Sequence, residues 1–216
     1  MNTLIRREIE SFRTILTQVS GRVVHERGLA IFCAGGVLPP TNRVTRCFGA
    51  VIETLQAASV LDLGCGTGIL ALIASRSADE VIGVDIDPRA VACAERNAAL
   101  NGIANVRFLV GHSYVPVAGR QFDLIISNPP FYPVDGIAHA PVPLCGDPES
   151  PLLDALILGL PKHLKPGGQA LFVTSSLSDN ERVEWLLRQN HLVFSRQVLH
   201  AGEGRSQDIF LWEAAT

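Results

Sequence analysis

Apolar residues recur along the chain in two rhythms. Between residues 2 and 20, Leu4, Ile5, Ile9, Phe12, Ile15, Leu16 and Val19 fall at helical spacing among charged neighbours. That spacing predicts an amphipathic helix ending near Gly21. Residues 22–40 close on Gly-Gly and Pro-Pro and read as short strands and a turn. A second helix is expected over 42–56. From Val60 onward short apolar runs alternate with longer helical patterns. Strands are expected at 60–63, 80–85, 106–110, 122–127 and 169–174. Helices are expected at 69–77, 88–101, 151–164 and 178–190. Pro88 opens one of these helices and Asn101-Gly102 closes it. Residues 192–199 and 207–212 then form a terminal antiparallel pair. Lys165-Pro166-Gly167-Gly168 reads as a turn into the strand that follows it, and 128–148, with six prolines, as an irregular loop.

Near-continuous apolar strands alternating with helices imply a largely parallel sheet covered on both faces. Such sheets bind ligands beyond the carboxyl ends of their strands, near the point where strand order reverses. Informative residues are therefore expected immediately after strands.

The length, 216 residues, suits one full domain with a modest extension and a large core. Charged residues make up 18%, too few for long disorder when 47% are hydrophobic. No apolar run approaches a bilayer span, and the N-terminus has no continuous apolar signal core. Five dispersed cysteines without a CxxC pair argue against a disulfide framework or a structural zinc, and for a reducing, cytoplasmic setting. The net charge of −3 carries no nucleic-acid signature. It is unevenly spread, however. The first 50 residues hold seven arginines against three glutamates, a balance of +4, and the remainder carries −7. The simplest reading is a basic arm, residues 1–45, docked on an acidic body, residues 46–216.

The first long strand runs into Asp62-Leu63-Gly64-Cys65-Gly66-Thr67-Gly68, and a helix follows. Glycines let a backbone turn tightly and approach a ligand with no side chain between. The gaps are tighter than in the dinucleotide fingerprint, where the last glycine is further away. The next strand ends in Asp85-Ile86-Asp87-Pro88. Asp85 is positioned to accept both hydroxyls of a ribose, whereas Asp87 equally suits a helix cap. Cys65 reads as a small buried side chain. A third signal, Asn128-Pro129-Pro130-Phe131, follows the strand 122–127 directly. An asparagine oxygen and the Pro129 carbonyl could hold an NH₂ group by two acceptors, two prolines stiffen the turn, and Phe131 could stack on a planar target. Tyr132, and beyond it His139, Cys145 and Asp147, could add to the wall.

VLDLGCGTG, GVDID and NPPF, in that order and spacing, resemble the class I S-adenosylmethionine-dependent methyltransferases. The likeness is greatest to the small branch, which methylates exocyclic or amide nitrogens in rRNA, tRNA or protein glutamine. The resemblance covers roughly residues 30–215. It implies a Rossmann-like α/β fold, a seven-stranded, mostly parallel sheet with an antiparallel last strand. It implies S-adenosylmethionine as cofactor, with Gly64, Gly66 and Gly68 along the methionine and ribose, Asp62 near the methionyl amine, Asp85 on the ribose and Ile86 on the adenine. Asn128, Pro129 and Phe131 become the catalytic group, with Pro130, Phe131 and Tyr132 toward the acceptor. One position departs: where the family has Gly-Asp after the third strand, this chain has Gly111-His112-Ser113. His112 or Ser113 would then have to accept from the adenine amino group.

The acceptor stays open at this level between RNA, protein glutamine and a small molecule, the arm serving as a lid in the last case. An alternative chemistry also fits the motif. An azetidine-2-carboxylate synthase cyclises S-adenosylmethionine itself and releases methylthioadenosine. No metal site is expected.

Overall fold

The computed structural model describes residues 3–132, 151–202 and 207–216. Helix α1 (Thr3–Val19) leads into a hairpin of β1 (Val23–Glu26) and β2 (Leu29–Phe32). Its two-residue turn has positive φ at both Arg27 (51°) and Gly28 (73°), the twist that suits a tight hairpin. Next come α2 (Arg43–Ile52), β3 (Ser59–Leu63), α3 (Ile69–Ala74), β4 (Glu80–Asp85), α4 (Pro88–Leu100), β5 (Val106–Val110) and β6 (Phe122–Ser127). After the undescribed stretch follow α5 (Leu152–His163), β7 (Leu164–Ser175), α6 (Asn180–Gln189), β8 (Val193–His200) and β9 (Ile209–Ala215).

Seven strands form one sheet in the order β5-β4-β3-β6-β7-β9-β8. All pairings from β5 to β7 are parallel, and β9 runs antiparallel to both β7 and β8. The central strands are buried on both faces. One apolar layer holds Phe48, Leu72, Ile73 and Phe108, and the other holds Phe122, Leu160, Phe172 and Trp212. The expected Rossmann-like architecture is thus the one observed.

The hairpin and α1, grouped as one arm at sequence level, attach differently. Asn97 of α4 and Asn101, the C-cap four residues on, bind the hairpin backbone. Asn97 Oδ1 accepts from Phe32 N–H at 2.7 Å, and Asn101 Oδ1 from Ala30 N–H at 2.9 Å. Two ion pairs join the hairpin to α2 and its C-cap: Arg27 of the turn with Glu53, and Glu26 of β1 with Arg46 of α2. Helix α1 instead buries Ile5 and Ile9 against Tyr132, with Phe131 and Leu177 alongside.

The Lys165–Gly168 turn is corrected. These residues lie inside β7, as a bulge: β6 Phe122 and Leu124 oppose β7 Leu164 and Gln169. Gly168 is required there, because a Cβ would come within 2.9 Å of the Phe122 carbonyl oxygen.

Candidate active site

The strand order reverses between β3 and β6. From β3 the chain passes outward to β4 and β5, then returns on β3's other side as β6. Both the glycine loop and Asn128 leave the sheet at this point. Ser127 Oγ donates to the Leu63 carbonyl at 2.7 Å, tying the two strand ends together.

The loop is held from the neighbouring strand. Gly64 and Cys65 N–H both donate to the Val84 carbonyl, and Gly66 N–H donates to Asp85 Oδ2 at 2.9 Å. Gly64, Gly66 and Gly68 all have positive φ, at 74°, 54° and 80°. Their surroundings differ. A Cβ on Gly64 would sit 2.8 Å from Leu152 Cδ2, and one on Gly68 2.9 Å from Ala94 Cβ, whereas Gly66 has no atom nearer than 3.9 Å. Gly64 and Gly68 therefore serve close packing within the chain, whereas a Cβ on Gly66 would meet only Val37 Cγ1, at ordinary contact distance. Asn97 reinforces the loop, its Nδ2 donating to the Thr67 carbonyl at 2.9 Å. Cys65 is buried.

Two carboxylates stand beneath the loop. Asp85 Oδ1 accepts from Asp87 N–H at 3.0 Å while Oδ2 holds Gly66, and burial raises its pKa. Asp62 is 1% exposed. Its Oδ2 accepts from Ala71 N–H at 3.1 Å, and its Oδ1 has no partner. Burial pushes this carboxyl up to about 7, with the Asp85 charge adding to the effect and the Ala71 N–H opposing it. An uncompensated buried oxygen of this kind favours a cation or an N–H donor brought against it. Asp87 caps α4, accepting from Arg89 N–H at 2.9 Å. Ile86 is 59% exposed beside Asp85. After β5, Gly111 N–H donates to the Asp85 carbonyl, His112 is half-buried, and Ser113 is buried with positive φ (50°) and an unpartnered Oγ.

Asn128 is half-buried and its Nδ2 donates to Thr45 Oγ1 at 3.4 Å. That leaves its oxygen as the acceptor of the carboxamide. Asn128, Pro129, Phe131 and Tyr132 line a cavity of about 200 Å³ whose far wall is α1, through Glu8 and Phe12. Pro130 is half-buried just outside it. Burial raises the Glu8 pKa, against the lowering influence of Arg43 and Arg7. Gln207, 6% exposed, donates from Nε2 to Tyr132 OH, and its Oε1 is unpartnered, as is Thr41 Oγ1. Both residues face the same cavity. His139, Cys145 and Asp147 lie outside the described residues. Among the described residues no cluster could hold a metal ion, and no helix is long and apolar enough to cross a membrane.

Thr41, Asn42, Thr45 and Gln207 carry no motif and were not anticipated. They reach Asn128 and Tyr132 only through folding, 83 residues apart for Thr45 and Asn128 and 75 for Gln207 and Tyr132.

A reversing parallel sheet, a glycine turn after its first strand and an acid ending the next define a Rossmann-like cofactor-binding protein. Residues 30–198 match the methyltransferase small domain, and the chain belongs to that family. It is 36% identical over 125 residues to a putative protein N5-glutamine methyltransferase of Methanocaldococcus jannaschii, covering 55% of this chain and 62% of that one. It is 32% identical over 181 residues to the release factor glutamine methyltransferase of Xylella fastidiosa, covering 74% and 66%. The chain thus spans less than two thirds of either relative. In fold it is similar to the T. thermophilus 16S rRNA N2 methyltransferase solved with AdoMet and guanosine. The TM-score is 0.64 at 22% identity, over 88% of this chain and 48% of that one. The cofactor is S-adenosylmethionine, and the residues fit it. Asp62 offers a buried unpartnered oxygen to a cationic amine, and a Cβ on Gly66 would meet nothing closer than Val37 Cγ1 at 3.9 Å.

Proposed function

We propose that the protein transfers the methyl group of S-adenosylmethionine to an amide or exocyclic amine nitrogen, with a protein glutamine carboxamide as the first candidate. The observation that carries this is Asn128. Its amide nitrogen is engaged by Thr45, and the residue follows β6 at the sheet's switch point, where Ser127 is tied to Leu63 before the glycine loop, and lines the cavity walled by α1. Glutamine is favoured by the names of the two relatives. A net charge of −3 gives RNA no comparable support.

The cofactor supplies a methyl group already activated on sulfonium. The chain's task is then to hold and orient. Gly66 would bound the methionine and ribose side, with Gly64 and Gly68 shaping the turn from within, Asp62 would take the amine and Asp85 the ribose hydroxyls. Ile86 covers the adenine, whose amino group falls to His112 or Ser113. The Asn128 oxygen and the Pro129 carbonyl accept the two N–H bonds of the target NH₂ and aim its lone pair. Phe131 and Tyr132 flank the planar group, with Pro130 stiffening the turn. The lone pair so held would be the methyl acceptor, with S-adenosylhomocysteine as the leaving group and the nitrogen's proton released to solvent. Helix α1 acts as a lid, since it walls the cavity and packs on Tyr132.

The test uses S-adenosylmethionine labelled in its methyl group, with purified release factor, tRNA and ribosomal RNA as separate acceptors. Label on a glutamine of the release factor, lost in Asn128→Ala, is expected. Label on RNA alone would overturn the glutamine assignment. No transfer to any of these acceptors would count against the macromolecular reading.

A further inference from the structure

We infer that Thr41 and Gln207 form a recognition subsite for the acceptor, binding the neutral amide groups of a peptide around the nitrogen that is methylated; this rests on the function proposed above. Buried polar groups are nearly always paired, and leaving one unpaired is costly. Among the described residues five buried side-chain atoms have no hydrogen-bond partner: Arg27 Nε, Thr41 Oγ1, Asp62 Oδ1, Ser113 Oγ and Gln207 Oε1. Three of them have an account already. Asp62 and Ser113 stand on the cofactor side, and Arg27 is paired through another nitrogen. Thr41 and Gln207 remain, and both line the cavity that Asn128 and Tyr132 line.

The two come from distant parts of the chain. Thr41 immediately precedes the Asn42 N-cap of α2, and Gln207 precedes β9. Gln207 is 6% exposed, and the Tyr132 hydroxyl takes one end of its carboxamide. Whichever end that is, the other is left over. The Thr41 hydroxyl has no partner in either sense, so it is free to donate or to accept. An acceptor carboxamide needs what these groups supply. Asn128 and Pro129 would take its two N–H bonds, and its carbonyl oxygen still requires a donor, which a hydroxyl is. The free end of Gln207 then suits a neighbouring peptide group, which offers both an N–H and a C=O. Both side chains are uncharged, which fits neutral amides and not a phosphate, whose strong partners are cationic. Arg43 also lines the cavity, but has the Glu8 carboxyl as its counter-charge.

Thr41→Val gives the sharpest test, because it removes the hydroxyl and keeps the shape. Without ligands its urea midpoint should equal or exceed that of the unmutated protein, since no bond is lost. A lower midpoint would reveal a structural partner and overturn the inference. With purified release factor as acceptor, Thr41→Val and Gln207→Leu should each raise the KM for release factor about fivefold, the scale of one hydrogen bond, with the KM for S-adenosylmethionine unchanged. An unchanged KM for release factor in either variant would overturn the inference. If Gln207→Leu does not fold, Thr41→Val decides. A binding measurement keeps this inference apart from the proposed function. The full chain with S-adenosylhomocysteine is titrated with N-acetylglutamine methylamide. The readout is the Gln207 NH₂ pair in a ¹⁵N-resolved proton spectrum, assigned by its absence in Gln207→Glu. The pair should move on binding, and Thr41→Val should weaken the affinity severalfold. No binding, or binding that leaves the pair unmoved, would overturn the inference. Binding without methylation of any acceptor would instead remove the function proposed above and leave the subsite standing.

Discussion

Replacing Asp62 by asparagine should remove a specific piece of the protein's pH dependence. In the folded chain this carboxyl is 1% exposed and titrates near 7, chiefly because burial opposes its charge. In the unfolded chain it returns to its ordinary value near 3.8. Between these values the folded state binds the proton and the unfolded state does not. Stability contributed by Asp62 is therefore present at low pH, falls as pH rises from about 4, and levels off above about 7. A gap of about three units, at 1.36 kcal/mol each, sets a ceiling of about 4 kcal/mol, reduced by any relaxation around the charge. Asp62→Asn keeps the shape and does not titrate. Urea unfolding of both proteins at several values from pH 5 to 8, without cofactor, isolates the term as a difference. Lowering the pH from 8 to 5 should favour the unmutated protein over the variant by about 1–3 kcal/mol. With S-adenosylmethionine present the sign reverses, because the amine requires the ionised carboxylate. Affinity of the unmutated protein should then rise with pH through about 7 more steeply than that of the variant. A difference between the two proteins that stays constant across this range in both experiments would refute the reasoning.

Four further outcomes follow from the geometry. Asp85→Ala should weaken S-adenosylmethionine binding about 10²-fold or more by calorimetry, since charge-assisted bonds to ribose are worth roughly 1.5–3 kcal/mol each and the anchor of Gly66 goes with them. Gly68→Ala should destabilise by about 2–4 kcal/mol in urea, combining a φ of 80° with a Cβ 2.9 Å from Ala94 Cβ. Gly102→Ala, with positive φ but open space, should cost only about 1–2 kcal/mol. Deleting residues 1–20 should leave the sheet domain folded with its cofactor affinity and sharply lower turnover; unchanged turnover would remove the lid role of α1.

The features legible in the sequence are those whose cause is local. Strands β4, β5 and β6 fall where their apolar runs begin and end, because strands of a helix-covered parallel sheet bury most of their side chains; even the edge strand β5, interrupted by the exposed Arg107, buries Val106 and Phe108. The glycine loop and Asp85 were legible because a tight turn and a strand-end acid sit at fixed short offsets. Helix α3 ends at Ala74, three residues before its expected end, since the chain turns through Ser75–Ser77 to reach β4. The bulge at Lys165–Gly168 was read as a turn because proline and glycine mark both, and only pairing with Phe122 distinguishes them. The roles of the glycines were also blurred. All three have positive φ, but whether a glycine faces a ligand or a neighbouring side chain is decided by Leu152 and Ala94, far along the chain. Thr45 and Gln207 were invisible for the same reason. An isolated threonine or glutamine has no signature, and their importance comes from which side chains the fold sets opposite them.

The central claim is that Asn128 holds a nitrogen acceptor for methyl transfer, and identifying the nucleoside product by mass tests it most directly. The full chain is incubated with S-adenosylmethionine alone, and again with purified release factor, alongside Asn128→Ala. The account predicts near silence without acceptor. With acceptor it predicts S-adenosylhomocysteine in step with methylated glutamine, and a rate lowered about 10²-fold in Asn128→Ala at nearly unchanged cofactor affinity. Prompt methylthioadenosine in the absence of any acceptor, lost in Asn128→Ala, would contradict it: the same site would then be acting on the cofactor's own amine.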